Sequence, residues 1–272
     1  MTPHDPRQNG GMAAHARETR AAQSTSDDRP GEERGRWDLL SGRPPPIPGP
    51  ALLRQAWVDV AFVHWAVDPA AVAPLLPEGT RPDTFDGVTY AGLVAFQVPS
   101  TLVLGTVPTG AFGEVNVRLY SVDEHGRRGV VFRTMDTDSA HVVAAARAAS
   151  GLPYVWSDVS LREGPRGVRA GAVRRRFPGA AAGSWAVRVG EPLARPSAFE
   201  HFLTARWGLH TRHLGRTWWI RVSHRPWPLH AASLVRYDGD LLAAAGVRPL
   251  TESPVSVLWA SGVSCPITPS LV

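Results

Sequence analysis

Residues 110–120, GAFGEVNVRLY, set Glu114, Asn116, Arg118 and Tyr120 at every second position, with Val115, Val117 and Leu119 between them. Side chains alternate across a β-strand, so the segment reads as a strand with one apolar face. The other face carries an acid, an amide, a base and a phenol. It looks either at water or into a closed ligand cavity, and the rest of the chain has to distinguish the two. The strand runs through DEHGRRG into GVVFRTM, the clearest hairpin in the sequence.

Most of what surrounds this hairpin also reads as strands joined directly to strands. AWVDVAFVHWAV is one, followed by a short helix in DPAAVAPLLPEG with Asp68 as N-cap and Pro69 in its first turn. TFDGVTYAGLVAFQV places Asp86 and Gly87 as a hairpin turn before a largely apolar strand. DSAHVVAAARAASG predicts a helix capped by Asp138 or Ser139 and stopped by Gly151. YVWSDVSL, GVRAGAVRRRF, SWAVRVG and TWWIRVSH are further strands, interrupted by a helix in SAFEHFLTARW. This order predicts an α+β domain: a mainly antiparallel β-sheet curled into a closed barrel, with a few flanking helices.

Composition divides the chain unevenly. Residues 1–46 hold seven arginines, seven acids and many prolines, which predicts a disordered tail and Pro-rich linker ahead of a single domain over 47–272. The formal +5 therefore belongs to the body, and its one dense basic run, Arg174 to Arg176, lies on a strand where neighbours point to opposite faces. No nucleic-acid surface is expected from it. The single Cys265 excludes an internal disulfide. No signal peptide and no apolar stretch of membrane-spanning length is read, so a cytoplasmic protein without membrane contact is expected. Lysine is absent, and all 29 basic residues are arginines.

A set of short segments carries a more specific signal. FVHW, LLPEG, DTFDG, FGEVNVRLY, GVVF, AARAASGLPY, FLTARWGLH and SHRPWPL follow one another over about residues 50–237, with Arg147 six residues before Pro153. In order and spacing the chain resembles the acetoacetate decarboxylase-like superfamily and, more closely, the domain of unknown function 2071 family. The resemblance implies that the strand of Glu114 lines an internal cavity and that Glu114 matches the superfamily glutamate. Tyr154 stands where the decarboxylase has its Schiff-base lysine, and Val155 where it has the neighbouring lysine. Without a side-chain amine, Schiff-base decarboxylation is not available to this chain.

The candidate catalytic residues are Glu114 as general acid/base, Tyr154 as proton or oxyanion donor, and His64, whose imidazole titrates near neutrality. Asn116, Arg118, Arg147 and Arg133 are the candidate ligand-binding residues, guanidinium being suited to a carboxylate. His210 and His213, with His224 and His230, show no convergence of ligands, and neither metal nor cofactor is expected. Asp136 and Asp138 are read as helix capping, and Asp83 and Asp86 as turn residues. Two classes of function follow. One is an acid/base enzyme acting on a small oxo or hydroxy carboxylate; the other is a non-catalytic ligand-binding protein that retains the pocket. Either is compatible with a homo-oligomer.

Overall fold

The computed structural model describes residues 43–44, 50–177 and 179–270; apart from Arg43 and Pro44, the expected tail and linker lie outside the described residues. Thirteen strands form one sheet. They are β1 (Leu53–Val67), β2 (Thr80–Pro82), β3 (Thr89–Val103), β4 (Val107–Pro108), β5 (Phe112–Asp123), β6 (Arg128–Thr137), β7 (Tyr154–Glu163), β8 (Val168–Phe177), β9 (Ala182–Pro192), β10 (Gly208–His213), β11 (Arg216–Val222), β12 (Leu229–Gly239) and β13 (Ser256–Ser270). The α-helices are short: α1 (Pro69–Val72), α2 (Ala140–Ser150), α3 (Ala198–Thr204) and α4 (Leu241–Ala244).

The sheet is large, curled and mixed: mainly antiparallel, as expected, with two parallel pairings. β1 pairs antiparallel with β3 and β13, β3 with β5, and β5 with β6. β6 then pairs in parallel with β7, at Met135–Tyr154, and with β10, at Leu209–Val130. Parallel neighbours need a crossover, and α2 supplies the one between β6 and β7.

Local chemistry explains several element ends. The Asp68 carboxylate accepts from the Ala70 amide and Pro69 opens α1, as the sequence predicts. Asp86 and Gly87 have φ of 51° and 79° between Phe85 and Val88, which exchange backbone hydrogen bonds. Those positive values are what a type I′ turn requires. Gly151 ends α2 at φ 67°. Ser197 and Glu200 form a capping box on α3.

The acids assigned to capping at α2 do other work. The Asp136 carboxylate is buried and accepts from Arg175 Nε at 2.8 Å and Nη2 at 3.0 Å, and from the Ser157 hydroxyl at 2.8 Å. Asp138 accepts from the Gly113 amide. Arg174 and Arg176 turn the other way, onto Asp158 at the surface, so the arginine run is divided between the two faces.

The apolar face of β5 answers half of the opening question. Val115, Val117 and Leu119 are buried in a core with Val63, Trp65, Leu93, Trp185 and Leu241. At about 25 cal/mol per Å² of apolar surface, that face alone accounts for the placement of β5 in the interior. Its polar face is buried as well, Glu114, Asn116, Arg118 and Tyr120 all being shielded from bulk water.

Candidate functional site

On the polar side of β5 the sheet encloses a cavity of about 600 Å³ whose lining includes Glu114, Asn116, Arg118 and Tyr154. Register builds this wall. Phe96 lies opposite Glu114, Val94 opposite Asn116, and Gly92 opposite Arg118. Met135 of β6 sits between Asn116 and Tyr154 of β7. One flank is α2, whose Val142, Ala145, Ala146 and Ala149 recur at helical spacing along the lining. His141 Nε2 lies 2.9 Å from the Thr109 carbonyl and ties the start of α2 to the segment after β4.

Two bulges set what faces inward. Asp59 has φ 55°, and the β1–β3 register shifts around it, so Gln55 and Trp57 before it join Val60 and Phe62 after it in the lining. In β6 the register skips Arg133, so Val130 and Phe132 line the cavity on one side of the bulge and Met135 on the other.

Glu114 is 3% exposed. Its Oε2 accepts from the Tyr154 hydroxyl at 2.9 Å and its Oε1 from Asn116 Nδ2 at 3.2 Å. Burial pushes its carboxyl up to about 7, against the two hydrogen bonds, which favour the charged form. Burial, with the Glu114 charge, holds the Tyr154 phenol well above its ordinary range, so it stays a donor. Asn116 Oδ1 has no hydrogen-bond partner among the described residues. A carboxyl that changes charge near neutrality, beside a fixed phenol donor, can take a proton from a bound molecule and return it.

Arg118 occupies a different part of the wall. Its Nη2 donates to the Leu203 carbonyl at 2.9 Å and to the Tyr120 hydroxyl at 3.4 Å, and the guanidinium stands over the rings of Phe62 and Tyr120. Both oxygens are uncharged. His224, also in the lining, is held down to about 4 by burial and by the charge of Arg118, and so is neutral. Arg206, nearby over the Tyr120 ring, is paired with Asp83.

The remaining candidates are not brought to the cavity. His64 lies across Gly92 from Arg118, fully buried, and neither ring nitrogen has a hydrogen-bond partner among the described residues. Burial and the Arg118 charge lower its pKa, so the ring is a neutral packing element behind the wall. Arg147 donates from Nη1 to the Tyr154 carbonyl at 2.9 Å, clamping α2 to β7. Arg133 donates to the carbonyls of Ala245 and Leu75, on the opposite side of its bulge. Arg206, His224, Gln55, Trp57 and Trp227 line the cavity without a local sequence signal to mark them. His210 is held by Ser121 and Asp123, away from the cavity.

The family model described as DUF2071, uncharacterized conserved protein, matches residues 54–264. The uncharacterized protein YqjF of Bacillus subtilis (strain 168) is 28% identical over 208 residues, covering 75% of this chain and 86% of that one. Among solved structures, the enduracididine biosynthesis enzyme MppR complexed with pyruvate is similar at TM-score 0.55 and 19% identity, over 83% of this chain and 91% of that one. Acetoacetate decarboxylase from Legionella pneumophila is similar at TM-score 0.55 and 13% identity, over 91% and 98%. At these identities the likeness to the two enzymes is one of fold.

Proposed function

We propose that this chain, which belongs to the DUF2071 family, binds a small organic acid in its cavity and uses Glu114 there as a general acid/base. The observation that carries the reading is the enclosed Glu114 carboxyl, raised to about 7 and hydrogen-bonded to Tyr154 on the cavity wall. As Glu114 takes up the substrate proton, the Tyr154 hydroxyl leaves its carboxylate and donates to the developing oxyanion of a carbonyl substrate, while Asn116 orients Glu114. Arg118, about 13 Å from Glu114 along β5, receives the carboxylate of a substrate long enough to span the two. Enolisation, hydration or a related lyase step needs only a positioned base and donors, and in a sequence without lysine the chemistry proceeds without a side-chain Schiff base. The pyruvate held by the fold-related MppR supports a cavity for small oxo acids. The extra pairings β5–β6 and β11–β13 support a sheet closed around it, and the single buried Cys265 fits a reducing cytoplasmic setting.

The test is proton exchange. A series of oxo acids with the carbonyl at increasing distance from the carboxylate is incubated with the protein in D₂O and followed by NMR, with Glu114→Gln as control. Exchange of the protons next to the carbonyl, falling tenfold or more in the variant, supports the enzyme. Binding without exchange favours the second reading, a non-catalytic binder, for which the largely apolar lining speaks.

A further inference from the structure

We infer that the ligand is an amphipathic carboxylate, with its acid group on Arg118 and an apolar chain or ring system filling the rest of the cavity. The inference rests on the proposed reading of the cavity as an acid-binding site and adds the substrate class.

Charge comes first. Arg118 is 8% exposed and has no carboxylate partner among the described residues, and its Nε has no hydrogen-bond partner there. The two imidazoles that feel its charge, His64 and His224, have lowered pKa values and are neutral. Beyond the Tyr120 ring, Asp83 is already shared between Arg128 and Arg206 and makes no ion pair with Arg118. A buried, uncompensated cation is costly, and an anionic group arriving from the cavity removes that cost. Glu114 does not supply it: it lies about 13 Å farther along the strand and is engaged by Tyr154 and Asn116.

Volume and lining set the rest of the molecule. A cavity of about 600 Å³ is in the range that encloses a drug-sized ligand, and an oxo acid of three or four carbons leaves most of it unfilled. The surplus is not built for water. Its walls are Trp57, Phe62, Phe96, Phe132 and Trp227, together with the alanine face of α2. The outer rim is apolar too: Leu52 and Leu104 both line the cavity and are 41% and 65% exposed. An apolar cavity with one unpaired cation inside and an apolar lip matches a molecule with a charged head and an apolar body. Such a molecule runs from Arg118 past the Glu114–Tyr154 pair toward the rim.

Calorimetric titration of straight-chain carboxylates from butyrate to decanoate, with pyruvate alongside, tests this on the full chain. The expected affinity rises about three- to fourfold per added methylene, so that decanoate binds at least a hundredfold more tightly than butyrate. Arg118→Met weakens decanoate at least tenfold, with folding checked by thermal melting. Ala146→Phe, which narrows the α2 side of the cavity and leaves Arg118 in place, lowers the decanoate-to-butyrate ratio at least tenfold. Short acids that bind as tightly as long ones overturn the amphipathic ligand and leave the proposed function standing. No binding at any length overturns both, and decanoate binding indifferent to both variants places the acid elsewhere and overturns the inference.

Discussion

Replacing Glu114 by Gln keeps the shape of the cavity wall and removes its titration, which ties stability to pH in a calculable way. The carboxyl has its ordinary value of 4.5 when unfolded and about 7 when folded, because burial penalises its charge. A folded value raised above the unfolded one gives stability that is fully present below pH 4.5 and is lost as pH climbs through 7. At about 1.4 kcal/mol per pH unit, the window from 4.5 to about 7 is worth about 3 kcal/mol, or roughly 6–12 °C in melting temperature for a domain of this size. The measurement is the difference in melting temperature between the native chain and Glu114→Gln, taken from pH 4 to pH 8.5 so that other titrating groups cancel. That difference should turn against the native chain by roughly 6–12 °C, about 3 kcal/mol, across the window. A difference independent of pH would mean that Glu114 is solvated in the folded protein, and the reasoning from burial would fail.

Tyr154→Phe removes a hydrogen bond that favours the charged form of Glu114, so any Glu114-dependent exchange should move its pH midpoint above about 7; an unchanged midpoint refutes the contact. Asp136→Asn leaves the Arg175 guanidinium buried without its counter-charge and should cost about 3–5 kcal/mol in denaturant unfolding, whereas a loss under about 1 kcal/mol would show the pair to be solvated. Gly92→Ala places a Cβ 3.0 Å from His64 Cδ2 and 3.4 Å from Arg118 Cγ. That crowding should cost about 1–3 kcal/mol and weaken acid binding by displacing Arg118, and a variant with native stability and affinity would contradict the packing.

The alternation in residues 110–120 was enough to place β5 with a core face and a polar face, because register and burial act on a period of two. Which way the polar face looked came from resemblance: Tyr154, distant in sequence, entered only through the spacing from Glu114 to Pro153. The bulges at Asp59 and Arg133 were not legible, since the inserted residue changes parity without changing composition. Trp57 and Phe132 therefore took their place in the wall only once the register was known. β10, β12, β13 and the short β2 and β4 carried no strand assignment from the sequence. β13 is broken by Gly262, Pro266 and Pro269, which interrupt its apolar pattern, yet it pairs with β1, β11 and β12. Asp136 was mistaken for a cap because its partner, Arg175, lies 39 residues away. His64 kept the expected face of β1, but the missing side chain of Gly92 lets Arg118 close over it.

Crystals grown with 10-bromodecanoate test the central claim most directly, because the anomalous signal of bromine reports where the chain end lies. The expected result is a carboxylate within hydrogen-bond distance of the Arg118 guanidinium, methylenes passing Glu114 and Tyr154, and a bromine peak near Leu52 and Leu104 at the rim. A cavity closed by side chains with the Glu114 carboxylate turned to solvent would contradict it, as would a ligand whose acid group avoids Arg118.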